Sequence, residues 1–304
     1  MDKINYHDPV LLQPSVTALI SDPNGVYVDA TFGGGGHSQE ILNHLSENGK
    51  LFAFDQDQDA LNNRIDDSRF LLIHQNFKYL KRFLKFHGVH QVDGIMGDFG
   101  VSSHQFDEGD RGFSTRFDGA LDMRMNQQQD QTASDILNDY SVEQLTVLFR
   151  DFGELRNAAK ISRFIDTARQ QKTISTTEDL KSIVRPLMPR NKEHKIMAQI
   201  FQAIRLEVNQ ELSVLKEFLK QTKEVIKPSG RLSLISYHSL EDRLVKRYMR
   251  DGLFEGMPEK DVFGRSFTPF KPVGKLIMPT VDEIEKNNRA RSAKLRIAER
   301  TNEV

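Results

Sequence analysis

Over the first hundred residues, short apolar runs alternate with stretches of helical spacing. Gly25–Phe32 (GVYVDATF), Lys50–Asp55 (KLFAFD), Arg69–His74 (RFLLIH) and Val92–Gly100 (VDGIMGDFG) are short and rich in aliphatic and aromatic residues. That is the pattern of buried strands. Between the first two, Ser38–Leu45 sets Ile41, Leu42 and Leu45 at helical spacing. Strands alternating with helices predict βαβ units and a doubly wound parallel α/β sheet. In such a sheet ligands bind beyond the carboxyl ends of the strands.

The pattern then changes. Asp107–Arg124 is rich in Gly, Asp and Arg and reads as a structured loop. From about Thr132 to Met188 helical signals dominate. Ser141 with Gln144 makes a capping-box pattern before LTVLFRDF. Glu154–Gln170 has helical spacing, and Thr176 or Thr177 is placed to cap a helix to Val184, stopped by Pro186 and Pro189. A long helix is expected from His194 to Ile226, ended by Lys227-Pro228-Ser229-Gly230. The α/β pattern resumes with a strand at Arg231–His238, a helix capped by Ser239 with Asp242, a loop over Gly252–Pro279 and a last strand at Ser292–Glu299. The expected organisation is one discontinuous α/β domain, 1–107 with 200–304, carrying a helical insertion at 108–199.

Composition narrows the function classes. The 304 residues carry 42 Lys+Arg against 43 Asp+Glu, so bulk charge does not mark a protein that coats nucleic acid, and any such contact needs local patches. Three such patches stand out: Lys78, Lys81, Arg82 and Lys85; Arg185, Arg190, Lys192 and Lys195; Arg289, Arg291, Lys294 and Arg296. Cysteine is absent, which excludes disulfides, thiolate catalysis and cysteine-ligated zinc. Mean hydropathy is −0.52, no apolar run is long enough to span a membrane, and Met1–Pro14 has no leader-like apolar core. A cytoplasmic enzyme is expected. Oligomeric state is not readable, and a homodimer stays open.

The strongest chemical signal is Gly33-Gly34-Gly35-Gly36, between a strand and a helix. Glycine admits positive φ and close approach, and the helix start offers free N–H groups. The dinucleotide fingerprint G-x-G-x-x-G fails in both registers, because Ser38 and Gln39 stand where its third glycine belongs. A P-loop fails too, for want of Gly-Lys-Ser/Thr. A nucleoside cofactor without pyrophosphate needs neither. Asp55 ends the second strand, placed to accept ribose hydroxyls. Asp98 ends the fourth, in D-F-G-V-S-S, without the other kinase motifs that would give DFG its kinase meaning. Asp98 can face both cofactor and substrate, and Ser102 and Ser103 can reach a target base.

Several segments together resemble one family. They are D-A-T-F-G-G-G-G-H at 29–37, D-F-G-V-S-S-H-Q-F-D at 98–107, R-G-F-S at 111–114 and L-D-M-R-M at 121–125. With them go F-Q-A-I-R-L-E-V-N-Q-E-L at 201–212, H-S-L-E-D-R at 238–243, N-R-A-R-S-A-K-L-R at 288–296, and His7-Asp8-Pro9-Val10-Leu11-Leu12 near the start. The chain resembles the bacterial 16S rRNA cytosine-N4 methyltransferase (MraW/RsmH) family. The resemblance implies a class I (Rossmann-like) methyltransferase sheet with an inserted helical domain. It implies S-adenosylmethionine as cofactor, and as substrate the exocyclic N4 of a decoding-region cytidine in 16S rRNA of the small ribosomal subunit. It places Gly35, Gly36, His37, Asp55, Phe77, Asp98 and Gln105 at the cofactor. Asp98 or the carbonyl beside it, with Ser102, is the expected acceptor for the target amine. Arg111, Phe113, Arg124, Arg205, Asn209 and His238 are expected to receive the flipped nucleotide. Phe99, where the family usually has Leu, and His104, where it has Pro, depart from the pattern. So does His194–Met197, where H-P-A-x-R is degraded.

Overall fold

The computed structural model describes residues 9–260, 262–264 and 266–302, so the His7-Asp8 part of the opening motif lies outside the described residues. In chain order the first elements are α1 (Leu12–Leu19), β1 (Val26–Asp29), α2 (Gly36–His44), β2 (Lys50–Asp55), β3 (Phe70–His74), α3 (Leu80–Phe86) and β4 (Val92–Asp98). Helices α4 (Ser103–Asp107), α5 (Ala133–Asp139), α6 (Val142–Asp151), α7 (Ala158–Arg169), α8 (Thr177–Val184), α9 (Glu193–Val208) and α10 (Glu211–Val225) follow. The last are β5 (Ile226–Ser236), α11 (Ser239–Asp251), β6 (Phe270–Pro272), α12 (Val281–Lys286) and β7 (Lys294–Arg300).

Two compact units result. The first joins the residues up to Gly100 with those from Leu212, and the second is Val101–Glu211. The expected divisions at 107/108 and 199/200 fall elsewhere. The second would cut α9, whose Met197, Ile200, Phe201 and Ile204 all bury in the core of the helical unit.

The first unit is built on a seven-stranded sheet of order β3-β2-β1-β4-β5-β7-β6. Strands β1 to β5 run parallel, while β7 pairs antiparallel with both β5 and β6. This is a Rossmann-like α/β sheet with one antiparallel strand, β7, set between β5 and β6. Both faces are covered, which explains the unbroken apolar runs. Val28, Phe52, Phe54 and Ile95 enter one core layer, and Tyr27, Leu51, Ala53 and Met96 the other. The strand order reverses around β1, flanked by β2 and β4, so the ligand crevice is expected at their carboxyl ends.

Several local expectations change. The single helix from His194 to Ile226 is two, broken where Gln210 takes φ 48°. Lys227–Gly230 end no helix: they bulge out of β5, whose register with β4 moves from Val92↔Ile226 to Gly94↔Arg231, with Ser229 at φ 64°. Lys227 Nζ meets both Asp93 carboxylate oxygens at 2.8 and 2.9 Å. Helix α7 starts at Ala158, because Glu154 is left-handed at φ 50°. Strand β6 lies in the stretch read as loop. Helix α11 is capped by His238 with Glu241, one residue earlier than expected. The capping boxes at Ser141/Gln144 and Thr176/Asp179 form. No described helix is long and apolar enough to cross a membrane.

Candidate functional site

At the carboxyl edge of the first unit, neighbouring strands β2, β1 and β4 end in Asp55, Asp29 and Asp98. Asp29 is fully buried and fastens the glycine turn: Thr31 N donates to its Oδ1 at 3.0 Å and Ser38 Oγ to its Oδ2 at 2.7 Å. Burial pushes its pKa up against those donors. Gly33 and Gly35 take φ 52° and 79°, the left-handed region open to glycine. Gly35 precedes α2 as its N-cap, and a Cβ there would stand 3.0 Å from the Phe32 ring. A Cβ on Gly36 would stand 2.2 Å from Pro9 Cγ, so the chain's own packing already requires this glycine.

Asp55 ties the turn to β2. Gly33 N donates to its Oδ2 and Asp57 N to its Oδ1, each at 2.8 Å. Burial pushes its pKa up to about 6 in spite of both donors, and the charges of Asp57 and Asp29 add to the rise. Each oxygen keeps a lone pair for a further donor.

Asp98 is perturbed more than Asp55. Its backbone N donates to Thr31 Oγ1 at 2.6 Å, and its side chain is 21% exposed. Oδ1 is buried with no hydrogen-bond partner among the described residues. Burial pushes the pKa up to about 8; a bond from the Tyr237 hydroxyl opposes this, and the charges of Asp29 and Glu241 add to it. His37 Nδ1 stands 3.9 Å from Asp98 Oδ2. Burial pulls the pKa of His37 down to about 4, so the ring is neutral at neutral pH. Nε2 lies 3.1 Å from Val10 O, which only accepts, so the proton is assigned to Nε2 and the Nδ1 lone pair faces Asp98.

Phe77 follows β3 in a short turn capped by Asn76. Its half-buried ring packs on Phe99 at 5.8 Å and Phe218 at 5.1 Å. Phe99, itself buried, completes this three-ring cluster, so the departure from Leu is absorbed in the core behind Phe77. His238 caps α11: its Nδ1 accepts from Glu241 N at 3.4 Å, and its Nε2 sits 3.0 Å from Glu241 Oε1 without hydrogen-bond alignment. Nδ1 is thus used in the helix cap, while Nε2 makes no hydrogen bond among the described residues.

The helical unit holds the remaining expected residues. Ser102 and Gln105 form a capping box on α4, Ser102 Oγ accepting from Gln105 N and Gln105 Oε1 from Ser102 N. Arg111 is buried, donates to Arg124 O and Met125 O, and lies over the Phe113 ring at 5.8 Å. Phe113 belongs to the unit's core. Arg124 grips Asp122 through two nitrogens and donates to Gln129 O at 2.6 Å. Arg205 is bidentate to Glu211 at 2.7 and 3.0 Å. Asn209 accepts from Met125 N and donates to Met123 O and Arg205 O. Five expected RNA contacts, Arg111, Phe113, Arg124, Arg205 and Asn209, are therefore engaged inside the unit. They shape the 111–125 segment, including Met123 at φ 58°, rather than reaching outward. His104 lies 4.0 Å from Glu108, and Met197 fills the core, so neither departure leaves a vacant position.

Sequence reasoning passed over Tyr237, Glu241 and Thr31. Tyr237 had a signal, as an aromatic at a strand end directly before a singled-out histidine. Its link to Asp98 arises only because β5 pairs with β4, setting Ile235 beside Asp98.

Fold and site together define a class: a Rossmann-like transferase with a nucleoside-type cradle at the β1/β4 switch point. The strand-end acids can accept hydroxyl and amine donors, and no phosphate-binding motif accompanies them. The MraW methylase family matches residues 5–301, and the chain belongs to that family. S-adenosylmethionine is accordingly its methyl donor. The chain is 61% identical over 295 residues to a ribosomal RNA small subunit methyltransferase H of Christiangramia forsetii, covering 97% of this chain and 98% of that one. It is 52% identical over 300 residues to the protein of the same name in Bacteroides thetaiotaomicron, covering 98% and 99%.

Proposed function

We propose that this protein methylates small-subunit rRNA, and specifically the exocyclic N4 of a decoding-region cytidine in 16S rRNA. The rRNA substrate rests on the relatives' names; the N4 atom rests on the sequence resemblance and on Asp98. The observation that carries the reading is the buried Asp98 Oδ1, with no partner of its own, at the end of β4. An N–H donor from a target amine suits that atom.

S-adenosylmethionine, when bound, supplies an electrophilic methyl group. Asp55 would accept its ribose hydroxyls and Phe77 would pack on its adenine. The turn at Gly35, Gly36 and His37 would border it. The lone pair of a cytosine amine is delocalised into the ring, so N4 is a weak nucleophile. Asp98, as a carboxylate, accepts an N4 hydrogen, enriches the nitrogen and takes the proton that methylation releases. A raised pKa makes it a better acceptor for that proton. The helical unit recognises the RNA through the shape of its 111–125 segment.

The test is incubation of unmethylated small subunits with labelled cofactor and this protein, followed by mass mapping of the 16S rRNA. One N4-methylated cytidine is expected. Label on a ring carbon or a ribose hydroxyl would refute the role given to Asp98.

A further inference from the structure

The basic clusters of the sequence fare differently once folded. Lys294 and Arg296 both pair with Asp242, at 3.4 and 2.7 Å. Arg185 sits between Glu178 and Glu193. Arg190, Lys192 and Lys195 of the same cluster stay exposed, as do Arg82 and Lys85 of α3, and only the α3 cluster adds a largely exposed aromatic, Phe86. Residues 74–92 contain no Asp or Glu, in a chain whose net charge is −1. Lys81 pairs with Glu224 of α10, Lys78 rests over the Tyr79 ring at 5.0 Å, and Arg82 and Lys85 are exposed.

The helix is amphipathic, which fixes the outward face. Leu80 and Leu84 are fully buried, and Phe83 meets Phe54 edge-on at 6.4 Å. The opposite side therefore presents Arg82, Lys85 and Phe86, with Arg82 and Phe86 four residues and about 6 Å apart along the axis. Phe86 is 80% exposed, with His87 edge-on to it at 5.1 Å. The ring is set beside two exposed cations, Arg82 and Lys85, on the same outward side. The helix follows the turn that carries Phe77, after β3.

We infer that the outer face of α3 is a docking surface for single-stranded RNA, with Arg82 and Lys85 on phosphates and Phe86 stacking on an unpaired base. Charge complementarity sets the sign of the partner. The aromatic selects a nucleotide chain, which offers a planar base beside each phosphate, over an acidic peptide. The inference rests on the rRNA reading and extends it beyond the target nucleotide.

The test uses the full chain as Arg82→Gln/Lys85→Gln and as Phe86→Ala. Binding of small subunits and of deproteinised 16S rRNA is measured over a salt series, with cofactor affinity and circular dichroism as controls. The double variant should lower the slope of log affinity against log salt by about 1.4, roughly 0.7 for each single-strand phosphate no longer neutralised. Phe86→Ala should weaken binding about tenfold with its slope unchanged. Cofactor affinity, and methyl transfer at saturating subunits, should be unchanged in both. Wild-type slope and affinity in both variants would overturn the inference. So would a weakening confined to intact subunits with bare rRNA bound normally, which would put a ribosomal protein on this face. A wild-type protein that binds neither form of rRNA would instead refute the rRNA reading itself.

Discussion

Asp98 sits where its carboxylate is disfavoured, and Asp98→Asn removes the charge while keeping the shape. Burial pushes its pKa up to about 8, from an ordinary 3.8. Between those values the folded chain keeps a proton that the unfolded chain gives up. Stability is therefore fully present below pH 3.8 and falls as pH rises towards 8, by up to about 1.4 kcal/mol per pH unit. Across the whole window that is about 6 kcal/mol at most. The side chain is 21% exposed, so solvent screens part of the effect, and about 2–3 kcal/mol is the amount to expect. Asparagine carries no such cost. At pH 8.5 the variant should melt roughly 4–8 °C above wild type. The gain should shrink towards zero at pH 4, where Asp98 is protonated in both states. The variant should also lose most turnover, a trade of activity for stability common at strained sites. Calorimetric scans of both proteins without cofactor, from pH 4 to 9, make the measurement. Parallel curves, with a constant difference or none, would refute the assignment of a strained carboxylate.

Tyr237→Phe removes the donor that opposes the rise in the Asp98 pKa, so the increase of kcat/KM with pH should move to higher pH; an unmoved profile would separate the two residues. Cofactor affinity should fall as pH drops through about 6, because protonated Asp55 loses acceptor capacity for the ribose, and Asp55→Asn should bind weakly with that dependence abolished, both read by calorimetric titration. Asn209→Ala breaks three hydrogen bonds, two of them buried, and should destabilise the helical unit by about 3 kcal/mol, while cofactor binding in the other unit persists. Urea unfolding followed beside cofactor titration checks this, and unchanged stability would refute the bracing role.

What the sequence could reveal depended on how far apart in the chain the decisive partners lie. Strands β1 to β4 were readable because a sheet covered on both faces needs uninterrupted apolar runs, and that requirement is local. The capping boxes at Ser141 and Thr176 span three residues each, so they too could be read directly. The acids ending β1, β2 and β4 followed from strand ends alone. The break between α9 and α10 could not be read in this way, because Asn209 fits the helical spacing. Its partners are Met123 and Met125, more than eighty residues earlier. The bulge in β5 is likewise secured by Asp93, distant from Lys227 in sequence but adjacent once β4 and β5 pair.

The arginines show the same limit from the functional side. Arg111 and Arg124 stand in segments that the family resemblance connects with RNA, and a guanidinium suggests a phosphate. The fold gives each a nearer acceptor: backbone carbonyls for Arg111, and Asp122 with Gln129 O for Arg124. A buried guanidinium whose donors are already used contributes shape, since turning it outward would leave those acceptors unpaired. On α3, Glu224 takes Lys81, while no ion pair engages the exposed Arg82 and Lys85 among the described residues. Positive charge available to RNA is therefore better identified by asking which cations the fold leaves without acids than by which motif contains them.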